Sequence, residues 1–113
     1  MRDNVKGGAL TETTFFILLS LYKPNHGYGI MQFIENETDG RLSLGAGTLY
    51  GALNTLLKKG WIKLYSEDDN RKKEYLITEE GKKISEIELI RLKQIYSIAN
   101  KIIGGNLNDD KEI

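Results

Sequence analysis

The side chains able to do chemistry in this 113-residue chain gather in its middle. Thr48, Tyr50 and Asn54 bring two hydroxyls and a carboxamide to one stretch, beside the small Gly51 and Ala52. Such groups read and hold rather than cleave: a phenol donates to a phosphate oxygen, and a carboxamide pairs with adenine. Around them stand Ser43, Lys58, Lys59, Lys63, Arg71, Lys72 and Lys73. Toward a polyanion their chemistry is counterion release, not base reading. Residues 41–73 carry seven Lys/Arg against three Asp/Glu, a balance of +4; the remainder carries nine against thirteen, a balance of −4. A net charge of zero therefore hides a basic middle, an electrostatic footprint of nucleic-acid binding. The plainer alternative is a solvated helix face with solvated charges, and what surrounds these residues has to decide.

Other chemistries fit poorly. His26 is the one histidine and no cysteine is present, so a transition-metal site and a disulfide framework are not expected. His26 beside Gly27 reads as a turn or cap residue. Gly45-Ala46-Gly47 is followed by Gly51, one place too late for the dinucleotide fingerprint. No nucleophile, base and orienter assemble, so neither an enzyme nor a cofactor is expected. No stretch approaches a membrane span and the start lacks a signal-peptide pattern, so the expected location is the cytoplasm.

Helices and a hairpin must position the central residues. Leu49, Leu53, Leu56 and Leu57 make one apolar stripe of a helix that Thr48 would cap and Gly60 would stop. Upstream, Thr11 and Glu12 mark the start of a helix over residues 13–22, stopped at Pro24. Its apolar run also suits a buried strand, but the cap and the leucines favour the helix. A turn at residues 25–29 leads to a second helix on Ile30, Met31, Phe33 and Ile34, broken at Gly40; residues 41–44 form an extended link. Residues 61–67 and 72–77 read as a hairpin around Asp68-Asp69-Asn70, with Tyr75 and Ile77 on one face. A last helix starts at Thr78 and runs to residue 103. Leu89, Leu92, Tyr96, Ala99 and Ile103 form one apolar row, and Ile84, Ile87, Ile95, Ile98 and Ile102 a second, interrupted at Arg91. That face is wider than one small domain needs, and two such helices pairing would bury it.

This order of elements, mainly α with a small β-hairpin, is that of a winged helix-turn-helix followed by a C-terminal dimerisation helix. The sequence resembles the PadR family of transcriptional regulators in its short form. The matching stretches are Leu10-Thr11-Glu12, His26-Gly27-Tyr28-Gly29-Ile30, Gly47-Thr48-Leu49-Tyr50, Leu53 with Leu56, Lys59-Gly60-Trp61-Ile62 and Tyr75-Leu76-Ile77-Thr78-Glu79-Glu80-Gly81. The resemblance implies a DNA-binding domain over residues 9–77, a dimerisation helix over 78–104, and flexible ends at 1–8 and 105–113. It implies a cytoplasmic homodimer that binds double-stranded operator DNA and commonly represses. Some short members release DNA when a planar apolar compound enters the dimer interface.

The interface expected on the last helix comprises Leu89, Leu92, Ile95, Tyr96, Ile98, Ala99, Ile102 and Ile103. Tyr96 is the expected contact for a small aromatic effector, with plain interface packing as the alternative. The competing function is a non-enzymatic dimeric adaptor that binds another protein through its long helix. The basic wing and the capped Gly47-Thr48-Leu49-Tyr50 helix argue against it.

Overall fold

In the computed structural model, residues 8–68 and 72–104 are described, and they form a winged helix-turn-helix with a long trailing helix. The elements are α1 (Glu12–Ser20), β1 (Asn25–His26), α2 (Gly27–Glu37), α3 (Ala46–Lys59), β2 (Ile62–Asp68), β3 (Lys72–Ile77) and α4 (Glu79–Ile102). The two expected flexible ends lie outside the described residues, except Gly8.

Local chemistry sets most boundaries. Thr11 caps α1 by accepting the Thr14 N–H, and Thr78 caps α4 by accepting the Gly81 N–H, both at 3.1 Å. His26 caps α2 through Nδ1, which accepts the Gly29 N–H at 3.1 Å. Gly60 ends α3 with φ 78°, in the left-handed region. There the Gly60 N–H reaches Leu57 O and the Trp61 N–H reaches Leu56 O, each at 3.1 Å, satisfying carbonyls the last turn would otherwise leave bare.

Four expectations need correction. Thr48 does not cap the central helix. Gly45 is the cap residue: its extended backbone lets its carbonyl accept the Leu49 N–H at 3.0 Å, so the helix begins at Ala46 and Thr48 lies inside the first turn. The first helix ends at Ser20, short of Tyr22, because Leu21 leaves it to accept the Ile77 N–H at 2.9 Å. The hairpin also gains a third strand, giving the order β1-β3-β2, with Asn25 opposite Tyr75 and His26 opposite Glu74. The sheet thus holds the wing to the start of α2. β2 begins at Ile62, one residue later than expected, and a bulge between Leu64 and Ser66 interrupts its register with β3.

The core lies between α1, α2, α3 and the sheet, with Ile17, Leu18, Leu21, Ile30, Ile34, Leu49 and Leu53 at most 1% exposed. α4 joins it only at its start. Gly81 sits against the Trp61 carbonyl, where a Cβ would collide with backbone. Ile84 packs on this core rather than continuing an outward row. One turn later Glu88, 3% exposed, accepts the Leu10 N–H at 3.3 Å and Arg91 Nε at 2.9 Å and Nη2 at 2.6 Å. The Glu88 hydrogen bonds hold the Arg91 guanidinium above its ordinary pKa. The charge that breaks the apolar row is therefore half of an ion pair fastening α4 to the start of α1.

Candidate nucleic-acid interface

With Leu49, Leu53 and Leu56 buried, a turn of about 100° per residue puts Gly47, Gly51, Asn54 and Lys58 in one outward row of α3. All four are exposed. A Cβ at Gly47 or Gly51 would meet nothing within 4 Å, so nothing in the fold requires glycine there. Each costs roughly 0.5–1 kcal/mol of helix stability relative to alanine. The row leaves the helix backbone open to whatever approaches.

Two flanks border the row. Toward α2 stands Tyr50, 45% exposed, with its hydroxyl over Gly27 so closely that a Cβ on Gly27 would collide with it. This contact ties the hydroxyl end of the ring to the first residue of α2. Toward α1 stand Thr48 and Thr55, on the wall of a groove of about 480 Å³ that Thr11 and Thr13 close from the other side. Lys59 also lines it, with its ammonium 4.8 Å from the Trp61 ring centroid. That cation–π contact fixes Lys59 beside the groove while Lys58 points to solvent.

Ser43 is exposed in the link before α3. Lys63 on β2 and Lys72 and Lys73 on β3 are exposed, and Arg71 lies outside the described residues. The ladder places Lys72 opposite Asp68 and Lys73 opposite Glu67. A running charge count does not bring these ladder positions together. Arg41 hydrogen-bonds Glu12 and holds that carboxyl below its ordinary pKa, so part of the local positive balance is already engaged.

On α4, every proposed interface residue is exposed: Leu89, Leu92, Ile95, Tyr96, Ile98, Ala99, Ile102 and Ile103. Ile87 and Ile90, outside that set, are exposed as well, which widens the apolar face. Between α1 and α4 runs a second groove, of about 470 Å³, walled by Phe15, Phe16, Leu19 and Leu92 with Glu88 and Arg91 at its polar end. Sequence reasoning missed Thr11, Thr13 and Thr55 as site-lining residues. The threonines in Thr11-Glu12-Thr13-Thr14 were a signal, read only as a cap. Among the described residues no helix is long and apolar enough to cross a membrane, and no cluster of three His, Asp or Glu could hold a metal.

Comparison with known proteins agrees with this architecture. The model of the transcriptional regulator PadR-like family matches residues 17–86. A transcriptional regulator from Clostridium thermocellum is 30% identical, with TM-score 0.68, and the match covers 81% of this chain and 92% of that one. A PadR family transcription regulator from hypervirulent Clostridium difficile is 29% identical, with TM-score 0.63, over 87% and 100% of the two chains. RosR of H. salinarum is 26% identical, with TM-score 0.61, over 89% and 93%. No curated protein matches the chain in sequence.

Proposed function

The chain belongs to the PadR-like family of transcriptional regulators, and on that premise we propose that it is a cytoplasmic homodimeric repressor of operator DNA. The observation that carries this reading is the outward row of α3. Gly47, Gly51, Asn54 and Lys58 present no acid and little bulk, on the helix that precedes a lysine-bearing wing. A helix with side chains is about 10–12 Å across, and the major groove of B-DNA about 12 Å wide. A bare row lets the α3 backbone sit deep in such a groove.

The labour divides by chemistry. Residues 48–57 contain no charged side chain, so α3 supplies shape and hydrogen bonds from Thr48, Tyr50 and Asn54. Ser43, Lys58, Lys59, Lys63, Arg71, Lys72 and Lys73 supply contacts to phosphates. Pairing of α4 through Leu89, Leu92, Ile95, Tyr96, Ile98, Ala99, Ile102 and Ile103 sets two such units side by side. They read half-sites about one helical turn apart, on the order of 34 Å. A small planar ligand stacking on Tyr96 at that seam would re-space the two units and release DNA.

The test begins with genomic fragments captured by the purified protein, then titrates the captured operator and a scrambled duplex across a salt series. Lys72→Ala with Lys73→Ala is expected to weaken both duplexes alike and to flatten the log–log salt slope by about one unit per lost contact. Asn54→Ala is expected to weaken the operator more than the scrambled duplex, by about 1–3 kcal/mol. Planar aromatic compounds added to the same titration are expected to release the operator, and Tyr96→Ala to abolish that release. Wild-type protein that binds no duplex above background overturns the reading in favour of a protein-binding adaptor.

A further inference from the structure

We infer that the groove between α1 and α3 is a seat for the sugar-phosphate backbone of one DNA strand, held by neutral hydroxyls rather than by charge. This rests on the DNA-binding reading above and adds a contact that the basic residues do not provide. The groove holds about 480 Å³, and no carboxylate lines it. Its single lining cation, Lys59, is held over Trp61 at one edge. The rest of the polar wall is threonine, and not every threonine has a proton to give. Thr11 donates to Thr14 Oγ1 at 2.9 Å, and Thr55 donates to the Gly51 carbonyl at 3.2 Å. Thr13 and Thr48 line the groove from opposite helices, and among the described residues their hydroxyls have no hydrogen-bond partner.

A phosphodiester oxygen accepts hydrogen bonds and donates none, so free hydroxyl protons are the group it needs. Geometry brings it there. A helix lying in the major groove has one phosphate strand along each side, because helix and groove are about equally wide, near 12 Å. Along α3, one side is the Tyr50 flank. The other is this groove, whose wall at Gly47 and Gly51 carries no side chain that would hold a strand away.

The test uses the full chain with Thr13→Val and Thr48→Val, which remove a hydroxyl and keep the branched shape. Circular dichroism and thermal melting of each variant verify its fold. Binding is measured to the captured operator and to the scrambled duplex across salt. Each variant is expected to bind both duplexes roughly ten- to a hundredfold more weakly, the loss for a hydrogen bond to a charged group. The salt slope is expected to stay at the wild-type value, because no cation has been removed. Methylphosphonate placed at the contacted phosphate is expected to erase the difference between Thr13→Val and wild type.

Wild-type affinity in both variants, with Lys72→Ala and Lys73→Ala still weakening binding, overturns the seat and leaves the DNA-binding reading standing. A loss confined to the operator also overturns it, since that is base reading. Wild-type protein that binds neither duplex removes the premise itself.

Discussion

Two grooves of nearly equal size flank α1, about 480 Å³ on its α3 side and about 470 Å³ on its α4 side, and they differ in what α1 lends them, hydroxyls on one side and mainly aromatic and aliphatic side chains on the other. The start of α1 lends Thr11, Thr13 and Thr14 to the first. Its later turns lend Phe15, Phe16 and Leu19 to the second. A groove that stands empty between binding events keeps its hydration with hydroxyls and backbone. A groove lined by phenylalanine and leucine keeps water at a cost, and a contiguous apolar patch of this kind marks an interface. The exposed isoleucines of α4 extend the apolar side beyond the groove. On the proposed reading, the reversible partner and the lasting one meet two sides of one short helix.

The largest effect expected from breaking this contrast comes from making the apolar side polar. Ile95→Asp with Ile98→Asp is expected to give monomers by light scattering at all accessible concentrations, since unpaired charges at a buried seam are strongly disfavoured. An unchanged mass with the fold retained would show that the apolar face serves some other contact.

A smaller effect is expected at the polar end of the same groove. Glu88→Gln keeps the shape but gives Arg91 a donor where it had an acceptor, and it weakens the link to the Leu10 N–H. Urea unfolding is expected to show a loss of roughly 2–3 kcal/mol, below that for breaking a fully buried pair because Arg91 can turn to water. A variant as stable as wild type would mean that the pair does not fasten α4 to α1.

The smallest effect has two signs. Gly51→Ala adds a methyl group where nothing lies within 4 Å, so thermal unfolding is expected to show a gain of about 0.5–1 kcal/mol. The same methyl stands on the reading row and the hydroxyl wall, so affinity for operator and scrambled duplex is expected to fall. If both stability and affinity rise, the open row is not where DNA approaches.

The sequence made these regions legible to different degrees. Caps at Thr11, His26 and Thr78 and the stop at Gly60 are chemistry within one turn, so residue type and spacing sufficed to find them. The leucine stripe of α3 likewise revealed its outward face. Thr48 misled because a threonine near a helix start fits the rule for caps, while Gly45, three positions upstream, performs the task through its backbone alone. β1 was hidden because Asn25 and His26 have turn composition and become a strand only by pairing with residues about fifty positions away. Neither groove could be read, since each needs two helices side by side. Arg91 looked like a flaw in an apolar row because its partner Glu88 is also charged, and nothing local said that the pair is sheltered.

The seat of Gly81 against the Trp61 carbonyl and the Glu88 bond to the Leu10 N–H hold the first turns of α4. From Glu88 to Ile102 the helix runs on at 1.5 Å per residue, an arm of about 21 Å. Each degree of tilt at Glu88 moves the far end by about 0.4 Å over that length. A tilt of about eight degrees therefore shifts it by about 3 Å, close to one base-pair step. In a dimer joined along these arms, operator spacing is a matter of gearing. A change at the seam too small to disturb either reading head would carry one of them out of phase with the double helix.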